Sequence, residues 1–246
     1  VFNFINSFKI NSVQKYFQFS FLFLLIFTFA QKKPDNTFVK EHYNKKEVYI
    51  TMRDGVKLFT SIYTPKDISK TKKLPFLMQR TCYSVAPYGE TEFPRSLGPN
   101  KYLMNDEYIF VYQDVRGRYM SEGTFTNMTP QVERKSKKDV DESTDTYDTI
   151  DWLIKNIENN NKKVGQYGTS YPGFYTAAGI LADHPSLVAS SPQAPISDFW
   201  NDDFLHNGKF MMGYFRTFPV FGIQKTKAEK DSWFMDTFIK PTSEDG

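Results

Sequence analysis

A serine two residues after a glycine, in Gly168-Thr169-Ser170-Tyr171-Pro172-Gly173, is the part of this chain best equipped for covalent chemistry. An apolar run around Val164 leads into it, and a helical pattern, Tyr175 to Leu181, follows at once. A strand turning sharply into a helix lifts a serine hydroxyl clear, so that a base reaches it from one side and a carbonyl from the other. Gly168 leaves space for the turn, and Gly173 lets the new helix lie close to the sheet. Ser170 also stands at the helix N-terminus, where backbone N–H groups face a developing oxyanion. The usual form of such a turn is G-x-S-x-G. Here Pro172 takes the second glycine's place and Gly173 comes one residue later.

A serine nucleophile needs a base and an orienting acid, which in such folds follow in the chain order Ser, Asp, His. After Ser170 only His184 and His206 remain. His184 lies in an Asp183-His184-Pro185 turn and His42 precedes the first strand, so both are read as structural. His206 with Asp202 or Asp203 would sit on one helical turn, which cannot form a triad. The catalytic Asp and His are therefore expected beyond residue 246, and the 246-residue chain is expected to be inactive alone. Asp202 and His206 lie four apart and could face one metal, yet no third ligand accompanies them, so no metal or other cofactor is expected. The single cysteine, Cys82, excludes an internal disulfide and a cysteine-based zinc site. Arg116, in Asp114-Val115-Arg116-Gly117, is read as pinning its loop through ion pairs rather than as an anion site.

The elements that must position Ser170 alternate in type. Glu47–Met52 and Val56–Tyr63 read as strands joined by an Arg53-Asp54-Gly55 turn. Leu74–Gln79 and Tyr108–Gln113 read as buried strands with a helix around Leu103 between them. Val132–Asp145 runs from a basic block into an acidic one and reads as a solvated loop entering a helix. Tyr147–Ile157 carries apolar residues at helical spacing, and Glu158–Lys163 is a polar loop before the strand that ends at Ser170. A sixth strand starts at Leu187–Ser191 and ends at Pro192 and Pro195. Two antiparallel strands followed by strand–helix alternation predict an α/β fold, a mostly parallel sheet covered by helices. Reacting groups then gather beyond the carboxyl ends of the strands, where Ser170 falls. From Ser197 to about Trp233 the chain turns aromatic and helix-like, as the beginning of a cap would be.

Composition narrows the class. A net charge of +3, dispersed along the chain, gives no basis for nucleic-acid binding. The high aromatic share, 17%, accompanies many Lys, Asn and Ile residues and is read as coding bias rather than a stacking surface. Lys9 and Lys15 precede an apolar stretch, Phe19–Phe29, that closes on Thr28-Phe29-Ala30. This is the plan of a secretory signal peptide, so residues 1–30 are expected to be removed and the protein exported, periplasmic or secreted. The stretch is too short for a membrane span, which takes roughly 20 apolar residues, so no stable anchor is expected after cleavage. No Met precedes Met52, so Val1 is not read as the start of translation.

Several segments together resemble one family. They are Met52-Arg53-Asp54-Gly55-Val56-Lys57-Leu58, Gln79-Arg80-Thr81-Cys82-Tyr83 and Asp114-Val115-Arg116-Gly117-Arg118 with Ser121-Glu122-Gly123. Asp148-Thr149-Ile150-Asp151-Trp152-Leu153, the Ser170 segment and Asn201-Asp202-Asp203-Phe204-Leu205-His206-Asn207-Gly208 complete the set. In this order, from about residue 38 to 215, they resemble the α-amino-acid ester hydrolases, within the wider group of cocaine esterase and the X-Pro dipeptidyl peptidases. That family's turn is G-x-S-Y-x-G, which matches the late glycine. Cys82 stands where the family usually has proline.

The resemblance implies an α/β-hydrolase core (31–196), the start of a helical cap (197–246) and a jelly-roll domain beyond this chain. It implies Ser170 as nucleophile, the Tyr171 backbone N–H and the Tyr83 hydroxyl as oxyanion donors, and Asp203 as the carboxylate for a substrate's α-ammonium group. The activity implied is hydrolysis or acyl transfer on esters, and β-lactam amides, of α-amino acids through an acyl-enzyme. The partner is then a small molecule with a free α-amino group, and a homo-oligomer is left open. The alternatives are an X-Pro dipeptidyl peptidase, or a non-catalytic binding protein on a hydrolase scaffold should the chain end at 246.

Overall fold

The computed structural model describes residues 37–67, 72–133, 136, 138–198, 201 and 205–211. The expected signal peptide lies outside these residues, as do Asp203 and most of the expected cap. Among the described residues no helix is long and apolar enough to cross a membrane.

A short helix α1 (Thr37–His42) leads into β1 (Tyr43–Thr51), which pairs antiparallel with β2 (Lys57–Pro65). Their turn closes with Gly55 at φ 90°, while Asp54 Oδ1 accepts from the Val56 N–H at 3.2 Å. A side chain at that φ would be strained, so the Asp-Gly pair sets the register of the hairpin. Then come β3 (Leu74–Thr81), α2 (Lys101–Asn105), β4 (Ile109–Asp114), α3 (Glu142–Asn156), β5 (Asn160–Thr169), α4 (Tyr171–Ile180) and β6 (Leu187–Gln193). The sheet order is β1-β2-β4-β3-β5-β6, antiparallel at β1/β2 and β2/β4 and parallel from β4 to β6. This six-stranded mixed sheet with covering helices is the α/β arrangement that the strand–helix alternation predicts, and it matches the α/β-hydrolase core that the resemblance implies.

Side-chain alternation along the strands divides the core. Phe76, Met78, Ile109, Val111 and Val164 pack against Ile150 and Leu153 of α3. Phe110, between Ile109 and Val111, points the other way, where it joins Val39, Tyr43, Tyr63 and Leu97. Burial of these aromatic and branched side chains, at roughly 1.5–3 kcal/mol each, holds the two layers together.

Three expectations are corrected. The acidic end of the Val132–Asp145 block is not solvated: Asp141, Glu142 and Asp145 are all buried. Asp141 caps α3 through a capping box with Thr144, so the helix starts at Glu142, before the apolar periodicity begins. Polar residues placed inward carry no hydrophobic signature, so the period misses this first turn. Next, β6 runs to Gln193 through Pro192 instead of ending at it. Among the described strands β6 is at the edge, where a missing N–H breaks no ladder.

The third correction falls in the helix-like stretch after Ser197. There β7 (Leu205–His206) and β8 (Lys209–Phe210) form a small hairpin. Asn207 and Gly208 have φ of 51° and 83°, which suits a two-residue hairpin turn. The Asn-Gly pair outweighs the aromatic spacing, and His206 therefore stands on a strand rather than on a helical turn with Asp202 and Asp203.

Candidate active site

Ser170 sits between the end of β5 and the start of α4 with φ 62° and ψ −124°. A non-glycine residue holds such a conformation only where its surroundings impose it, at a cost of order 1–3 kcal/mol. Here the Ser170 N–H donates to Gln193 O at 3.0 Å, and Ser170 O accepts from the Phe174 N–H at 3.1 Å. The turn is tight enough to need both neighbouring glycines. A Cβ on Gly168 would lie 2.1 Å from Pro172 O, and one on Gly173 would lie 2.6 Å from Gln193 O. Ser170 is exposed and occupies the N-cap position, yet its side chain makes no capping hydrogen bond, so the hydroxyl is not consumed by the fold.

Tyr83 comes from the loop after β3, the strand beside β5. Its hydroxyl interacts with the Ser170 side chain, which favours the ionised phenol and so works against burial. Burial pushes the phenol well above its ordinary pKa, and the nearby Ser170 side chain only partly opposes this, so the O–H is retained. The ring meets Tyr171 edge-on, with centroids 6.3 Å apart. Tyr171 is fully buried: its hydroxyl donates to Asn127 Oδ1 and accepts from the Met128 N–H at 2.8 Å, and its ring stacks on Tyr175. With its side chain so anchored, the Tyr171 backbone N–H is held at the opening of α4, the end from which a helix stabilises negative charge. A serine at a helix N-terminus with a phenol beside it is an arrangement able to stabilise a tetrahedral oxyanion.

The Tyr83 loop is fastened by the segment after β4. Arg118 Nε donates to Cys82 O at 3.0 Å, and the Val85 N–H donates to Asp114 Oδ1 at 2.9 Å. The Tyr88 hydroxyl donates to Asp114 Oδ2 at 2.9 Å. Burial raises the Asp114 carboxyl to about 7, against the lowering effect of these donors and of Arg118. Sequence reasoning singled out Arg116 in this motif and passed over Asp114 and Arg118. Arg116 does pin its loop, bridging Asp54 and Asp145 at 2.7 Å each. The two overlooked residues were discoverable only as charges that the structure buries: Asp114 is 0% exposed and Arg118 1%.

Two of the three histidines stand elsewhere. His184 follows α4, whose ten residues place it roughly 15 Å from the Ser170 end, and its Nδ1 accepts from the Ser186 N–H at 3.0 Å. His42 precedes β1, whose start lies beside the end of β2 and so at the amino end of β4, away from Ser170. Its Nδ1 is 2.9 Å from Phe38 O. His206 is exposed on β7. Among the described residues no group of three metal-ligating side chains occurs. A cavity of about 580 Å³ adjoins Tyr83, lined also by Thr169, Pro172, Gln193, Tyr112 and Tyr167.

Comparison with known proteins agrees with this architecture. A family model for the X-Pro dipeptidyl-peptidases (S15 family) matches residues 54–233. The chain is 35% identical to an α-amino acid ester hydrolase of known structure, over 76% of this chain and 31% of that one, with a TM-score of 0.62. It is also 35% identical to an aminopeptidase from a marine-sediment Thaumarchaeota archaeon, over 83% of this chain and 33% of that one, with a TM-score of 0.63. The cocaine esterase of Rhodococcus sp. is 29% identical over 156 residues, 62% of this chain and 24% of that protein. The chain thus spans about a third or less of the length of these relatives.

Proposed function

The chain belongs to the X-Pro dipeptidyl-peptidase (S15) family, and on that premise we propose that it is a serine hydrolase of α-amino-acid esters with Ser170 as nucleophile. One observation carries the reading: an exposed serine in a strained strand-to-helix turn, its side chain free of any capping role and interacting with the Tyr83 phenol. Ser170 Oγ attacks the ester carbonyl carbon and gives its proton to a general base. The carbonyl oxygen becomes an oxyanion that accepts hydrogen bonds from the Tyr171 N–H and the Tyr83 O–H. Collapse breaks the bond to the leaving oxygen, which takes the proton back from the base and departs as the alcohol, and water then hydrolyses the acyl-enzyme by the same route. The base and its orienting acid are drawn from beyond residue 246, as the resemblance implies, while His42 and His184 lie away from Ser170.

The substrate class rests on the likeness to the α-amino acid ester hydrolase and on Asp203, which matches that family's carboxylate for an α-ammonium group. A buried carboxylate left unpaired is costly, so such a site discriminates against esters that lack the amino group. A second reading, cleavage after an X-Pro dipeptide, is favoured by the description of the family itself. Both substrates present a free amino group. Rates on phenylglycine methyl ester and on a Gly-Pro anilide, with protein made from the complete natural gene, separate them. Fluorophosphonate labelling that survives Ser170→Ala would overturn both. Export is proposed from the signal-peptide plan of residues 1–30, and a mature N-terminus at Gln31 by mass spectrometry is its test.

A further inference from the structure

We propose that Asp114 and Arg118 form a clamp that positions the Tyr83 hydroxyl over Ser170. They act through the backbone on either side of Tyr83 rather than by touching substrate. The proposal rests on the oxyanion reading of Tyr83 and adds the residues that make that donor rigid.

The clamp is built from both charges. Arg118 Nε holds Cys82 O, the residue before Tyr83, at 3.0 Å. Asp114 Oδ1 holds the Val85 N–H, two residues after it, at 2.9 Å. Between these grips the Tyr83 N–H donates to Thr81 Oγ1 at 2.9 Å, and Ser84 is left-handed with φ 82°. Asp114 Oδ2 accepts from the Tyr88 hydroxyl, which also lies 2.8 Å from Ser84 Oγ, so residue 84 is tied as well. A loop this short with four tethers has little freedom left.

The clamp is itself anchored to the sheet. The Val115 N–H donates to Thr81 O at 3.0 Å, and Ser121 Oγ donates to Asp114 O at 2.6 Å while accepting from the Phe59 N–H of β2 at 2.8 Å. The Arg118 guanidinium is sandwiched among rings, 4.9 Å from Phe125 and 5.3 Å from Tyr119. Packing alone would be served by apolar residues at 114 and 118, and a buried charge is costly when unpaired. The two charges reach the backbone at residues 82 and 85 and leave the donor between them. Precision there has chemical value, because a 1 Å misplacement of a reacting group costs on the order of 100-fold in rate.

The test is a double-mutant cycle on the rate of fluorophosphonate labelling at Ser170, using protein made from the complete natural gene. The phosphonyl oxygen occupies the oxyanion position, so the readout does not depend on knowing the substrate. Tyr83→Phe is expected to slow labelling roughly 100- to 1,000-fold. Asp114→Asn is expected to slow it roughly 10- to 100-fold in the Tyr83 protein. In the Tyr83→Phe background Asp114→Asn should change the rate by less than about two-fold, because the group it positions is gone. Tyr88→Phe, a milder change that keeps the carboxylate, should show a smaller loss with the same background dependence. Losses that multiply in the double variants overturn the clamp and leave the hydrolase reading standing. No effect of Tyr83→Phe alone overturns the oxyanion role and the clamp together. Labelling that persists in Ser170→Ala overturns the hydrolase reading itself, and the clamp falls with it.

Discussion

The Tyr83 hydroxyl and the Ser170 side chain interact although they come from different loops, one after β3 and one after β5. The sheet makes this contact: β3 and β5 are parallel neighbours, so the loops leaving their carboxyl ends adjoin. Residues distant in sequence are brought together by strand order rather than by any local motif.

On the proposed reading, Tyr83→Phe removes one hydrogen-bond donor and little else, since its ring contact with Tyr171 is kept. A donor used only in the transition state supports kcat more than KM. We expect kcat to fall roughly 100- to 1,000-fold with KM within about three-fold of wild type. Steady-state rates on phenylglycine methyl ester check this. An equal loss carried in KM alone would assign Tyr83 to substrate binding instead.

Gly168→Ala is expected to disable the site without removing any functional group. Its Cβ would meet Pro172 O at 2.1 Å, and Pro172 lies in the first turn of α4. Backbone cannot yield there cheaply, so α4 must shift and take Tyr171 N–H with it. The expected result is loss of fluorophosphonate labelling together with a fall in Tm of several degrees, on the scale of about 2–3 kcal/mol for overpacking. Gly55→Ala gives the contrast. Its Cβ meets nothing within 4 Å, so only the strain at φ 90° remains. That is about 1 kcal/mol, with labelling unchanged.

A third expectation concerns Arg80, which is 3% exposed and joins the sheet to α3. Its Nη1 lies 3.0 Å from Glu142 Oε2 and donates to Glu142 O and Thr146 Oγ1, while Nε donates to Gln113 Oε1. Arg80→Met leaves Glu142 buried without its cation, a loss of about 3–5 kcal/mol. Burial already pushes the Glu142 carboxyl up and Arg80 is the main group holding it down. The variant should therefore take up a proton at Glu142 and recover part of its stability at mildly acidic pH. Urea unfolding at pH 5 and pH 8 reads both effects.

How far the fold was legible varies by element. The Ser170 turn and the parallel strands were readable because glycine placement and apolar runs are local signals. Gly168 and Gly173 serve the steric purposes that their spacing suggests. The first turn of α3 was not readable, because Glu142 and Asp145 are buried by pairing with Arg80 and Arg116 rather than by apolar contact. The β7–β8 hairpin was written in Asn207-Gly208 but was overlooked beside the aromatic spacing around it. Asp114 and Arg118 illustrate the general difficulty. A charge on a loop reads as solvated until tertiary structure shows what it grips.

The last prediction joins the stability of Asp114 to its work as a clamp. Burial raises this carboxyl from 3.8 to about 7 in the folded protein, opposed by Tyr88, the Met120 and Val85 N–H groups and Arg118. Tyr49 on β1 feels its charge, its phenol being raised first by burial and then by Glu122 and Asp114. A carboxyl raised on folding contributes stability that is fully present below the unfolded value and is lost as pH rises through the folded one. Between about pH 4 and 7 the group should therefore cost up to about 1.4 kcal/mol per pH unit. Asp114→Asn carries no such titration. Relative to wild type, its Tm should rise as pH goes from 5 to 8 and level off above about 7. At pH 8 the variant is then expected to be more stable than it is at pH 5 by comparison with wild type, and yet slower to label at Ser170. Such a pairing is what a strained, preorganised site predicts. A Tm difference that does not change with pH would show that the carboxyl does not titrate in this window.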